Sequence, residues 1–198
     1  MSARTPRSKA RQAEILAAGI RICSQAGHGD ASLREIAERA GIKKGLLTYY
    51  FPTKEQLLFA IGLDMHEHFD ALLARTLADV DAPPRTRLKA HFEAHVLLTC
   101  ELVDQIRVSY ESGRHLDRAH RDEIGVLRER YEAGVGQLID ACRPEGWVDD
   151  AATPALAVAA LGLLNWVYLW YRPGGPLQPE DIARQVSQRA MASLRAAP

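Results

Sequence analysis

Apolar residues recur along this chain at helical spacing, and no stretch alternates at the period of a strand. Between Lys9 and about Ala26 the positions Ile15, Leu16, Gly19, Ile22, Cys23 and Ala26 follow the 3.6-residue period. Gly27 and Gly29 are then expected to end this first helix. In Ser32–Lys54 the pattern shortens. Ser32 and Glu35 have the S-x-x-E spacing of a capping box, with Ile36, Ala37 and Ala40 on one face of a short helix. Gly41 suits the left-handed residue that closes such a helix. A second short helix starts around Lys43 and Lys44, turns Leu46 and Leu47 inward, and must stop before Pro52, which disfavours helix at Phe51. Thr53 with Gln56 repeats the cap spacing and opens a third helix. Two short helices around a tight turn are the pattern of a helix-turn-helix, whose second helix enters the DNA major groove.

The rest is also read as helix. Leu57, Leu58, Ile61, Met65, Phe69, Leu72 and Leu73 form the stripe of a long helix from Lys54 to about Val80, ended by Asp81-Ala82-Pro83-Pro84. Two helices are expected over 85–115, and another from Arg121 to Ala141 that stops at Arg143-Pro144-Glu145-Gly146. Gly134 and Gly136 lie inside it without strand–turn context, so they mark close helix packing or a bend and not a phosphate loop. Residues 151–171 carry no charge over twenty-one positions. At 1.5 Å per residue that is about 30 Å, enough for a bilayer span. The composition is Ala-rich, Thr153-Pro154 and Asn165 dilute it, and the flanks have no one-sided positive charge. A helix apolar all round and buried within protein is the preferred reading, with a membrane anchor as the alternative.

These elements place the chain in the all-α class: a three-helix DNA-binding head at 1–53, with an N-terminal arm over 1–8, and a helical body at 54–198, about nine helices in all. The formal net charge of zero divides unevenly. Residues 1–60 hold ten Lys/Arg against five Asp/Glu, a net +5, and the remainder hold fifteen against twenty, a net −5. A basic head on an acidic body fits polyanion contact at one end. Cys23, Cys100 and Cys142 are odd in number and widely spaced, which argues against a disulfide framework or zinc site and for a reducing cytoplasm. No signal peptide is readable at the N-terminus.

Candidate chemistry concentrates in the head. Lys44, Thr48, Tyr49 and Tyr50 cluster beyond the inward leucines, Gly45 permits close approach to the backbone, and Lys54 stands at a helix start where a phosphate can sit. With Ser32, Arg34 and Lys43 they make up the candidate DNA-binding set. Phe51 is assigned to the core. In the body, His91 and His95 are four apart and could share a metal. However, H-F-E-A-H is not the zinc-protease order and no third ligand is near, so no metal is assigned. Pocket lining and satisfied interior histidines remain open for the pair. No nucleophile–base spacing or phosphate loop is found, so neither a catalytic residue nor a cofactor is assigned, and the chain is not read as an enzyme.

The segment SLREIAERAGIKKGLLTYYFPTKEQLL resembles the DNA-binding region of the TetR family of one-component bacterial regulators, with the turn Gly, the K-G pair, the aromatics, F-P and K-E in register. Two positions depart from that pattern: Lys43 stands where Ser or Thr commonly caps the recognition helix, and Thr48 where a Tyr usually contacts phosphate. The segment GLLNWVYLWYRPGGPLQPEDIA looks like the C-terminal body of a subgroup that represses fatty-acid and steroid catabolism. The resemblance implies a homodimer joined by 154–171 and 179–195, a double-stranded palindromic operator, and an acyl-CoA or similar amphipathic effector that releases it. His95, Tyr110, Arg114, Asn165 and Trp166 are the candidate effector-binding residues.

Overall fold

The computed structural model describes residues 6–26, 32–150 and 152–195. Among these the chain forms ten α-helical segments: α1 (Pro6–Ala26), α2 (Leu33–Arg39), α3 (Lys44–Tyr50), α4 (Lys54–Ala78), α5 (Pro84–Glu101), α6 (Val103–Ser112), α7 (Arg118–Asp140), α8 (Thr153–Asn165), the single turn α9 (Val167–Trp170) and α10 (Pro179–Ser193). The only extended pairing among the described residues is an isolated antiparallel bridge between Val148 and Arg195. The all-α expectation holds.

Some boundaries differ from the sequence reading. The first helix begins at Pro6, so residues 6–8 belong to α1 and not to an arm. Proline is well suited to the first turn, where its missing N–H has no intrahelical partner to lose. Residues 1–5, and Gly27 and Gly29, lie outside the described residues. The long helix α4 ends at Ala78, two residues early, ahead of the Pro83-Pro84 break.

The chain divides into two compact units, one from Met1–Met65 with Asp104–Ile124, the other from His66–Val103 with Gly125–Pro198. The first half of α4 therefore belongs with the head, and α6 with the start of α7 joins it. In this first unit Ile15, Leu16, Ile22, Ile36, Leu47, Phe51, Leu57, Leu58, Ile61 and Val108 form a single buried core. Two helices of seven residues cannot hold themselves up in water; packing on this core fixes them. The Gln105 side chain on α6 donates to the Ile61 carbonyl (3.1 Å) and to Asp64 Oδ2 (2.8 Å), tying α6 to α4. At the junction of α4 and α7, His120 stacks on Phe59 at 3.9 Å and bonds the Glu55 carboxylate through Nδ1.

In the second unit α10 lies against α5 and α8, around a core that includes Leu88, Phe92, Val96, Leu138, Ile139, Leu164 and Leu194. Gly134 on α7 has a packing reason: a Cβ there would stand 2.3 Å from Leu73 Cδ2 and 3.3 Å from its Cγ. The uncharged run is interrupted at Trp166, between α8 and α9. Leu156, Ala157, Ala160, Leu161 and Leu164 of α8 are buried. Val158, Leu163, Trp166, Leu169 and Trp170 stay exposed, and only 33% of Thr153–Trp170 is buried in the single chain. One face of this run is therefore core and the other faces outward. The three cysteines are buried and free.

Candidate nucleic-acid interface and the buried histidine chain

The head is assembled by caps that the sequence encodes. Ser32 Oγ accepts the Glu35 backbone N–H at 3.2 Å, and the Glu35 carboxylate accepts the Ser32 N–H at 2.6 Å, which completes the capping box of α2. These bonds hold the Glu35 carboxyl below its usual range, the Ser32 backbone amide being the largest cause. After α2, Gly41 takes φ 66°, a left-handed conformation that favours glycine, and the chain reverses into α3. Lys43 is the N-cap of α3 and makes no side-chain cap bond, as a lysine must where Ser or Thr would accept one. Thr53 Oγ1 accepts the Gln56 N–H at 3.1 Å at the entry to α4.

The helix α3 has two faces. Leu47 is fully buried and Phe51, just after the helix, is 3% exposed, so the inner face is bolted to the head core. Lys43, Lys44 and Gly45 are exposed, with nothing within 4 Å of a Cβ built on Gly45. Tyr49 is 75% exposed and meets Tyr50 edge-on at 5.2 Å. Thr48 is half-buried and turns its hydroxyl back to the Lys44 and Gly45 carbonyls, at 3.1 and 3.3 Å. Tyr50 leans on the core, its hydroxyl 3.4 Å from Ser8 Oγ on α1. On α2, Arg34 is exposed and paired with Glu38 at 2.8 Å. Lys54 is half-buried at the first position of α4.

The candidate effector residues are divided between the two units. Tyr110, half exposed, and Arg114, exposed, belong to the first unit. His95, Asn165 and Trp166 belong to the second, where Trp166 is 64% exposed. His95 and Asn165 are joined directly, Nε2 to Oδ1, at 2.9 Å. They form one end of a longer chain that runs through Tyr131. The Tyr131 hydroxyl lies 2.8 Å from His95 Nδ1 and 3.1 Å from His91 Nε2, and His91 Nδ1 lies 3.0 Å from Thr76 Oγ1. His91, His95 and Tyr131 are all buried, with Phe69 packed on His95 and Tyr131. No sequence signal joins Tyr131 to the histidines, which stand 36 and 40 residues away.

Burial keeps both rings neutral. Desolvation carries the His95 pKa down to about 4, against the opposing bond to Asn165, and the His91 pKa to about 3, with His95 as a second cause. A neutral imidazole donates at one nitrogen and accepts at the other. With Asn165 Oδ1 facing the chain, one proton order gives every ring nitrogen a partner: His95 Nε2–H donates to Asn165, Tyr131 O–H to His95 Nδ1, His91 Nε2–H to Tyr131, and the single Thr76 hydroxyl proton to His91 Nδ1 in preference to the Leu72 carbonyl, which also lies 3.0 Å from Thr76 Oγ1. Each imidazole nitrogen thus has a partner, and these are satisfied interior histidines with no lone pair left for a metal.

A short capped helix, a glycine turn and a second helix with leucine inside and lysine and tyrosine outside define a helix-turn-helix DNA-binding protein. The chain belongs to the TetR family. Residues 15–61 match the bacterial regulatory proteins of the tetR family and residues 81–194 match the tetracyclin repressor-like C-terminal domain. The chain is 31% identical to the HTH-type transcriptional repressor Rv3405c of Mycobacterium tuberculosis, over 78% of this chain and 70% of that one. It is 28% identical to the HTH-type transcriptional repressor KstR2 of the same species, over 88% of each. Among solved structures, AibR in complex with isovaleryl coenzyme A and operator DNA superposes with a TM-score of 0.79 at 25% identity, covering 90% of this chain and 97% of AibR. The chain is a transcriptional regulator and not an enzyme.

Proposed function

We propose that the protein is a homodimeric repressor that holds a palindromic operator through residues 32–54 of each copy and lets go when an acyl-CoA or similar amphipathic ligand enters the body. In functional terms residues 1–53 bind DNA, and 54–198 bind effector and form the dimer. The observation that carries the first half is the two-faced α3: its inner face is consumed by Leu47, while Lys43, Lys44 and Tyr49 stand free of the core. Lys44 suits guanine edges or phosphate, Tyr49 suits phosphate or thymine methyl, and Lys54 at a helix start suits phosphate. Ser32, Arg34, Gly45, Thr48 and Tyr50 complete the surface; Arg34 exchanges Glu38 for phosphate on binding.

Dimerisation is supported by the outward face of 154–171, where Val158, Leu163, Trp166, Leu169 and Trp170 are exposed together. A second copy would cover them. The same run is unsuited to a bilayer, because Ala160, Leu161 and Leu164 are already packed within the α5–α8–α10 bundle. A cytoplasmic location follows from this reading. AibR, with isovaleryl coenzyme A and operator DNA, supports the effector class. Of the candidate contacts, Asn165 and the exposed Trp166 are the ones proposed for the effector in the second unit, since His95 has both ring nitrogens occupied. By linkage, a ligand that prefers the form with misplaced heads weakens DNA binding by the same ratio.

The test starts from genomic fragments selected by the protein, measured by fluorescence anisotropy across a salt series. Lys44→Ala and Tyr49→Phe should weaken the selected site at an unchanged melting temperature. Lys54→Ala should weaken all duplexes alike and flatten the salt slope by about one charge. Long-chain acyl-CoA should release the fragment and raise the melting temperature. Unchanged affinity in the α3 variants removes those contacts, and no effect of saturating acyl-CoA discards that ligand class.

A further inference from the structure

The second unit carries a cavity of about 410 Å³ that none of the foregoing uses, lined by Arg85, Thr86, Lys89, Trp147, Gln188, Met191, Ala192 and Arg195. It contains three cations and no acid. That is unexpected in a body whose sequence from residue 61 onward carries twenty Asp/Glu against fifteen Lys/Arg. Among the described residues the one carboxylate held by any of the three is Glu93, 3.4 Å from Lys89. Neither Arg85 nor Arg195 has an acid partner among the described residues.

The site is built and not an accident of loose side chains. The Val148–Arg195 bridge, with Asp149 N–H donating to the Leu194 carbonyl at 2.9 Å, pins the Trp147 segment to the end of α10. The Arg85 guanidinium then stacks over the Trp147 ring at 4.8 Å, which holds its planar fork in place at little further loss of side-chain freedom. Met191 and Ala192 supply an apolar side.

We infer that this cavity binds a small phosphorylated anion, with Arg85, Lys89 and Arg195 as its ligands. Three cationic residues in the lining, two of them without an acid partner among the described residues, and no carboxylate in that lining suit an anion of at least two negative charges, and guanidinium forks match phosphate oxygens in pairs. The volume falls in the range of small-molecule sites, and a partly enclosed cavity favours a small molecule over duplex nucleic acid. This inference is independent of the effector assigned above and places a second ligand on the body.

Inorganic pyrophosphate is the probe, titrated into the full chain by calorimetry at low and at high salt. Saturable one-to-one binding that weakens with salt is expected, with a loss of roughly tenfold or more in each of Arg85→Gln and Arg195→Gln, the scale of one charge-assisted hydrogen bond. Both variants are checked for an unchanged circular dichroism spectrum and melting temperature. Arg195→Gln serves alone if Arg85→Gln does not fold, since the Arg195 side chain is exposed. Lys44→Ala, in the basic head, should leave pyrophosphate affinity as it was. The inference is overturned if no saturable binding occurs, if Lys44→Ala abolishes it while Arg195→Gln does not, or if Arg195 is needed for binding random duplex and not for pyrophosphate.

Discussion

Removing one oxygen atom from the body measures how much the buried histidine chain contributes. Tyr131→Phe keeps the ring and its edge contact with Phe69 at 5.8 Å, so packing changes little. It deletes the hydroxyl that lies 3.1 Å from His91 Nε2 and 2.8 Å from His95 Nδ1. His91 is then left with an unpartnered donor and His95 with an unpartnered acceptor, on side chains that are 1% and 2% exposed. An unsatisfied buried polar group costs about 1–3 kcal/mol, which puts the pair at roughly 2–6 kcal/mol. For a chain of this size each kcal/mol moves the melting temperature by about 2–4 °C, so a fall of roughly 4–24 °C is expected. Thermal denaturation followed by circular dichroism at pH 7.5 reads it. A fall of less than about 2 °C would refute the chain, because it would mean that the two nitrogens find other partners without cost.

Two further outcomes follow from the same geometry. The folded pKa values of His91 and His95 lie below the usual 6.5, at about 3 and about 4, so the unfolded chain binds protons first. Their contribution to stability is complete above pH 6.5 and is lost as the pH falls through 6.5 towards 4 and then 3. His120 has the opposite sign: its bond to Glu55, the largest cause, raises its pKa, so its contribution is present below pH 6.5 and is lost as the pH rises through the folded value. Proton NMR of the imidazoles between pH 8 and 5 should show His120 with a midpoint above 6.5 and no transition for His91 or His95; a midpoint near 6.5 for either would overturn their assignment as buried and neutral. Separately, Gly134→Ala gains about 1 kcal/mol by helix propensity but drives a Cβ to 2.3 Å from Leu73 Cδ2, an overpacking cost of about 1–3 kcal/mol. A net fall in melting temperature is expected, and a rise would mean that Leu73 turns aside freely.

The DNA-reading head was legible because its determinants are local. A capping box spans four residues, a glycine turn needs one, and the inward leucines repeat within two turns. Ser32, Glu35, Gly41, Leu47 and Phe51 accordingly take the conformations and burial their spacing implies. The start of α1 was misplaced by three residues, since a proline can open a helix as well as precede one. Gly134 and Gly136 of α7 were read as close helix packing or a bend; both meet a side chain from another helix, Leu73 of α4 for the first and Thr153 of α8 for the second.

By itself the sequence determined the all-helical class, the order of the helices, and the composition of a lysine- and tyrosine-bearing recognition helix, because those follow from periodicity and caps within a few residues. Only the tertiary structure decided that Tyr131 stands between two histidines, that Asn165 closes their chain, and that Arg85, Lys89 and Arg195 share a cavity beside Trp147. The hydrogen-bonded pairs join side chains 36 to 70 residues apart, and Arg195 meets the cavity 110 residues after Arg85. A linear pattern records which face of its own helix a side chain occupies, whereas the neighbour it meets depends on how whole helices pack, which is settled by the core as a unit.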